Sequence, residues 1–415
     1  MSTNPQPAGV LSFEQAFAVV QQYCQKLRPS GQESLSLSDA LGRVLAEPVR
    51  ADRDFPPFPR ATRDGYAVHA EDIKTIPALL HVVGQIKAGA SFDRTIKHGQ
   101  AVEIMTGAAV PQGADAVVMV EYTKRKGQQV EILRSATPGE NIVPQGSEAR
   151  AGHELLSTGT RLGFAQIAVA AAVGKTKLSV FKKPSVAILA TGDELVEVAA
   201  TPGPHQIRNS NSYSLAAQVI QAGGEPVRMP IAPDETSTLA ELIREALGAD
   251  LLLLSGGVSM GQFDLVEQVL VELGATFFFT GAEIQPGRPI VFGKAPSGKS
   301  KTLVPFFGLP GNPVSTMVTF DLFARPVLQA LGGALPVRLP TAKARLAREI
   351  KTRTGLTRFL PALLRGGLYD PEVEVVRWQG SGDISAAARA NCYVIIPPDR
   401  ELIAAGDMVS VLLRA

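Results

Sequence analysis

The spacing of apolar positions changes character along the chain. In SFEQAFAVVQQYCQKL, residues 12–27, Phe13, Phe17, Val20, Cys24 and Leu27 recur at helical intervals. Ser12 and Gln15 stand in front of them as a capping-box pair. A strand-like LSLS and a short helix, DALGRVLA, are predicted next. ADRDFPPFPRATR, residues 51–63, holds Pro56, Pro57 and Pro59 and reads as a linker or hinge. From 64 to 148 the runs LLHVVGQI, QAVEIM, ADAVVMVE and QVEILR, parted by Gly, Pro and Asp, predict short strands. A strand followed by a helix in GHELLSTGTRLGFAQIAVAAAVG, and a strand in KLSVFKKP, close this part.

At residue 185 continuous apolar strands begin to alternate with amphipathic helices. The strands are SVAILAT, EPVRMPIA, ADLLLLS, ATFFF and TLVPFFG. The helices are NSYSLAAQVIQAGG, DETSTLAELIREALG, FDLVEQVLVELG and NPVSTMVTFDLFARPVLQAL. Strands with no polar alternation are covered on both faces, which predicts a three-layer α/β domain with a mostly parallel sheet. After GGALP short strands return, as in a small β-barrel or sandwich. The expected fold class is multidomain α/β plus β. Residues 12–54 and 148–183 would form a mixed α+β linking domain, 55–147 a β-rich domain, 184–332 the α/β domain and 337–415 a C-terminal β domain.

Open α/β sheets bind ligands beyond the carboxyl ends of their strands. Four loops should meet there. TGDEL brings Thr191, Gly192, Asp193 and Glu194; IAPDE brings Asp234, also read as the N-cap of the next helix. SGGVSMGQFD brings Ser255, Gly256, Gly257, Ser259 and Asp264, and LPGNPVS brings Pro310, Gly311 and Asn312. Glycines at helix starts let backbone N–H groups approach an anion. The carboxylates of Glu194, Asp234 and Asp264 beside such a site suit a divalent metal bridging protein and anion.

Composition narrows the class. A chain of 415 residues is too long for one core. With 45% hydrophobic and 19% charged residues it reads as an ordinary globular protein, and a net charge of +2 gives no reason to expect nucleic acid or a membrane surface as partner. Two distant cysteines, Cys24 and Cys392, exclude a disulfide framework and fit a reducing cytoplasm. MSTNPQPAGVLSFEQAF lacks a basic region followed by an apolar run, so no secretory leader is expected, and no apolar stretch is long enough for a membrane span.

Two motif matches are set aside. GVSMG, Gly257 to Gly261, fits the nucleophile elbow of serine hydrolases, but that order needs a histidine downstream, and His69, His81, His98, His153 and His205 all precede Ser259. GKAPSGKS, Gly293 to Ser300, fits a phosphate-binding loop that should open a helix, yet strand-like PIVFG and TLVPFFG flank it. It is expected to be a hairpin turn with solvated lysines.

TGDEL, SGGVSMG with its following aspartate, PGRP and GLPGNPVS, in this order, resemble the molybdopterin molybdenumtransferase family, which includes the MoeA-type bacterial enzymes and the E domain of gephyrin. FPRATRDGYAV, IMTGAAVPQGADAVVMVE and QGSGD extend the resemblance over nearly the whole chain. It implies an α/β domain like those that bind molybdopterin, an elongated homodimer, and a cytoplasmic enzyme that takes adenylylated molybdopterin and molybdate. AMP would be released with a divalent cation, Mg2+, and molybdenum left on the dithiolene sulfurs. Glu194, Asp234 and Asp264 fall on the family's acidic positions. Asp64 and Thr106 match positions supplied by the opposite subunit, and Ser381 a serine of the C-terminal domain. Gly256 and Gly257 line the pterin-phosphate site. Arg288 is the cation for the oxyanion, and Glu194 and Asp264 either hold the metal or position a water. A molybdopterin adenylyltransferase would be the delivering partner.

The chain departs from the family at several cationic positions. Gln285 stands where a lysine can occur, Pro361 where an arginine occurs with Arg358 the nearest alternative, and Glu148 where an aspartate can occur. A binding scaffold of the same fold, as the gephyrin E domain also is, and an enzyme that inserts tungstate are the other readings.

Overall fold

The computed structural model describes residues 9–257, 265–298, 302–334, 338–367 and 369–414. Helix α1 spans Phe13–Lys26 and starts as its sequence predicts: Ser12 Oγ accepts the N–H of Gln15, and Gln15 Oε1 accepts the N–H of Ser12. Its apolar stripe, Ala16, Val20 and Cys24, does not build a separate unit. It enters the core of the α/β sheet together with Phe359 and Tyr393 of the C-terminal region. Phe13 is the joint, with ring centroids 5.1 Å from Phe359 and 6.1 Å from Phe323.

The segment DALGRVLA is not helical. It forms turns, with Gly42 at φ +77°, and its end bridges to neighbours through Val44–Arg161 and Leu45–Val180. Pairing with the strand Lys177–Phe181, itself laid antiparallel on Gln32–Ser36, outweighs the local helical pattern. Helix α2, Phe164–Ala172, lies beside this pair.

Residues of the β-rich segment form a six-stranded sheet in the order Ala116–Met119, Gly65–Val68, Gln100–Ile104, Ala78–Ile86, Gln129–Ile132, Thr123–Lys126. Apolar residues pack on both of its faces, with Tyr66, Val68 and Val118 on one and Ala67, Val102 and Val117 on the other.

The central sheet runs Glu225–Arg228, Ser185–Ala190, Leu251–Ser255, Leu303–Leu309, Val291–Pro296, Thr276–Phe279. The first four strands are parallel. Helix α3, Ser210–Ala222, packs on one face, and α4, Thr236–Ala246, with α5, Leu265–Glu272, on the other. Leu251 to Leu254 are fully buried because alternate leucines serve the two helical layers. The last predicted helix divides into α6, Pro313–Thr319, a π-helical turn Phe320–Ala324, and α7, Arg325–Leu331. Pro326 lacks the N–H that would close an α-helical bond to Leu322.

Of the sequence alternatives for the tail, the structure selects the barrel. Strands Thr357–Gly366, Pro371–Val375, Thr341–Leu346, Met408–Leu413 and Cys392–Ile396 pair in turn, and the last pairs back with the first. Ile284–Gln285 of the α/β unit joins this barrel alongside Thr357–Arg358. The first half of GKAPSGKS, Gly293–Pro296, is the end of the strand Val291–Pro296, antiparallel to Leu303–Leu309. The N–H of Ser297 then donates to the carbonyl of Thr302, and Lys294 is not a solvated turn lysine but lies half-buried over the Phe278 ring. Lys299 and Ser300 lie outside the described residues. Among the described residues no helix is long and apolar enough to cross a membrane.

Candidate functional site

The parallel strands deliver their carboxyl ends to one edge. Thr191 follows the Ser185 strand, takes its N–H to the carbonyl of Ser255, and bridges to Ala232. Two strand ends are thus stitched to a third before any side chain acts. Thr191 is 2% exposed, and its hydroxyl donates to Oδ1 of Asp234 at 2.9 Å. Asp193 Oδ1 accepts the N–H of Asp234 at 3.1 Å.

These bonds correct one expectation. Asp234 does not cap α4; Glu235 takes that place, and its carboxylate accepts the hydroxyls of Ser237 and Thr238. Asp234 lies one residue too early for the cap and is held by Thr191 instead.

Gly256 and Gly257 leave the Leu251 strand with φ of +88° and +63°, the left-handed region where a side chain is strained. A Cβ on Gly256 would stand 2.5 Å from the carbonyl oxygen of Thr191, and one on Gly257 2.7 Å from the Thr191 methyl. The two glycines therefore let the strand-end loops close on each other. Val258 to Asp264, with Ser259, Asp264 and most of GVSMG, lie outside the described residues.

Between these loops lies a cleft of about 460 Å³. Thr191, Glu194, Ser255 and Gly256 line it together with Pro310, Gly311 and Asn312. A second cleft, of about 440 Å³, shares Pro289, Pro310 and Asn312 with it. There Arg288 meets Trp378 and Ser381 of the C-terminal region. The carbonyl of Ser381 accepts the N–H of Val314, which fixes the barrel against the start of α6.

Asn211, not singled out in the sequence, ties the site together. Its Nδ2 donates to Ser255 Oγ at 3.0 Å and to the carbonyl of Gly311 at 2.8 Å. Asn209 Oδ1 caps α3 by accepting the N–H of Ser212, which orients Asn211 in the first turn. The polar run RNSNS ahead of an apolar helix carries that signal.

Asp64 and Thr106 sit away from both clefts within the chain, in the β-rich sheet, and bind each other. Asp64 Oδ1 accepts the N–H and the hydroxyl of Thr106, both at 2.7 Å. The backbone bond first, and the hydroxyl second, hold the Asp64 carboxyl below the usual aspartate range. Glu148 is paired with Arg60 at 3.0 Å. Arg358 is buried, and its Nε and Nη1 are spent on Gln285 Oε1 and on the carbonyls of Arg353 and Leu356. It therefore does not replace the arginine absent at Pro361, which lies inside a barrel strand. Among the described residues no three His, Cys, Asp or Glu side chains gather closely enough to cage a metal ion.

Comparison with known proteins agrees with this architecture. The family described as the MoeA N-terminal region (domain I and II) matches residues 11–174, the "Probable molybdopterin binding domain" residues 187–330, and the MoeA C-terminal region (domain IV) residues 343–413. The molybdopterin molybdenumtransferase of a Nostoc species is 37% identical over 92% of this chain and 88% of its own. That of Bacillus subtilis is 34% identical over 95% and 92%. A crystal structure of a molybdopterin biosynthesis MoeA protein from Pyrococcus horikoshii OT3 covers 98% of this chain and all of its own, at 31% identity and a TM-score of 0.80. With relatives at this identity over nine-tenths of its length, the chain belongs to the molybdopterin molybdenumtransferase family.

Proposed function

We propose that this protein is the transferase of molybdenum cofactor biosynthesis that places molybdenum from molybdate onto adenylylated molybdopterin, with release of AMP. The observation that carries the reading is the cleft at the strand ends, lined by Glu194, Thr191 and Gly256 together with Pro310, Gly311 and Asn312, with Asp234 bonded to the Thr191 hydroxyl. A phosphorylated pterin fits such a place, because glycine-opened backbone can approach phosphate oxygens that side chains would hold off.

In this reading the pterin phosphate meets Ser255 and Gly256, and Glu194 faces the phosphoanhydride. Arg288 and Ser381, in the adjoining cleft, receive the molybdate oxyanion through a guanidinium and a hydroxyl. The lysine-poor run GAEIQPGRPI leaves Arg288 as the cation there. Mg2+ usually takes one or two protein carboxylates and completes its shell with phosphate oxygens and water, so it does not need a three-carboxylate cage. Glu194, which lines the cleft, fits that demand, with Asp234, held by Thr191, and Asp264 as the further acidic positions. When bound there, the ion would neutralise charge on the phosphoanhydride and on the leaving AMP. Thr191 keeps Asp234 turned toward the strand ends.

Asp64 and Thr106 are read as completing the cleft of a second subunit in a homodimer. Residues 12–54 with 148–183, 55–147, 184–332 and 337–415 are the proposed domains. A cytoplasmic setting, with a molybdopterin adenylyltransferase as the source of substrate, goes with this reading. A scaffold is not favoured, since binding alone gives no reason for Glu194 in the cleft wall with Asp234 held by its neighbour Thr191.

Metal analysis of the pterin after incubation with equal molybdate and tungstate tests the proposal. Molybdenum on the pterin supports it, tungsten alone redirects it to the other oxyanion, and neither metal contradicts it.

A further inference from the structure

We propose that Arg208 is the residue that grips the phosphoanhydride of the substrate in the strand-end cleft. The inference rests on the pterin-nucleotide reading and names a residue that the family motifs above do not include.

Among the described residues that line this cleft, Glu194 and Arg208 alone carry formal charge. Arg288 belongs to the neighbouring cleft. A phosphoanhydride entering beside Glu194 would meet a like charge and needs compensation from within the same walls. Arg208 is the side chain placed to supply it.

Its placement is built in by the backbone. Leu195–Val196 and Ile207–Arg208 form a short parallel ladder in which Val196 pairs with Arg208. The N–H of Ile207 donates to the carbonyl of Glu194 at 2.8 Å, and the N–H of Asn209 to that of Val196 at 2.9 Å. Glu194 and Arg208 therefore stand on adjoining arms of one flap, at a fixed register. Asn209, the next residue, is buried and caps α3, so the flap cannot slide along the helix start.

The side chain is oriented as well. Nε donates to the carbonyls of Val198 at 3.0 Å and Ala200 at 3.2 Å. Among the described residues the terminal nitrogens make no hydrogen bond, and Arg208 forms no ion pair, with Glu194 or any other carboxylate. A guanidinium tethered through Nε and open at both ends of its fork is pre-organised for two phosphate oxygens. A surface arginine that only pinned the 198–200 turn would have no need to line the cleft.

The test is titration of the full-length protein with adenylylated molybdopterin under reducing conditions, at low and raised salt, with thermal unfolding in parallel. Arg208→Gln should weaken binding by about 10- to 100-fold, the loss of charge-assisted hydrogen bonds. It should also flatten the salt dependence, because one screened charge pair is gone. Arg208→Lys should fall between the two, since the charge remains and the fork does not. Both variants should unfold at the wild-type temperature. Affinity within twofold of wild type for Arg208→Gln overturns the assignment. So does an equal loss in both variants accompanied by equally lowered unfolding temperatures, which would make the arginine a strut for the flap. If the wild-type protein itself does not bind adenylylated molybdopterin, the substrate reading falls, and this inference falls with it.

Discussion

The hydroxyl of Thr191 donates to Oδ1 of Asp234 across 2.9 Å, joining the ends of two neighbouring parallel strands. Each residue comes from a loop that is unremarkable alone. Joined, they tie a carboxylate to a residue that lines the cleft and spend one of its oxygens on geometry.

Thr191→Val keeps the shape and removes that hydroxyl. The expected result is a loss of about 1–2 kcal/mol of stability, measured by urea unfolding, for a part-buried bond to a charged group. Turnover should fall by more than stability explains, because Asp234 is then free to swing.

Gly256→Ala should damage the same edge by a different route. Its φ of +88° and the Thr191 carbonyl 2.5 Å from a new Cβ leave no relaxed position for the methyl group. A stability loss of about 1–3 kcal/mol is expected, the usual cost of such strain. Weaker pterin binding by titration should accompany it.

Asp64 gives a pH signature. Hydrogen bonds from Thr106 lower its folded-state pKa below the ordinary value of 3.8. The stabilisation from this pair is therefore present above that value and is lost as pH falls through the folded pKa. Thr106→Val should raise the Asp64 carboxyl pKa toward 3.8, read by NMR titration of the carboxyl carbon. The variant and wild type should differ in stability at neutral pH and converge in acid.

Much of this architecture could be read in the sequence, for identifiable reasons. The leucines of Leu251–Ser255 have no polar alternation, and only a sheet covered on both faces accommodates that. Ser12 and Gln15 act within one turn, so the start of α1 is local information. The turn at Gly42 was not legible, because DALGRVLA is decided by pairing with residues more than a hundred positions away. The sequence pattern makes Asp234 a cap for the same reason: its actual partner, Thr191, is 43 residues distant. Asn211 and Arg208 are hard to single out because each acts on residues distant in sequence: RNSNS marks a polar helix start, but not that Asn211 reaches Gly311, 100 residues away, or that Arg208 lines the cleft.

The cross-subunit placement of Asp64 is open to a mixing experiment. Asp64→Asn and Glu194→Gln should each be inactive alone. Mixed in equal amounts after dissociation and reassembly, they should recover about a quarter of wild-type activity, because about half the dimers are mixed and each keeps one intact site. A site complete within one chain would give no recovery.

The most direct test is AMP release from adenylylated molybdopterin by the purified protein with magnesium, with and without molybdate. Release that depends on molybdate, and that Glu194→Gln abolishes, is the expected result. A folded protein that releases no AMP under either condition would contradict the account.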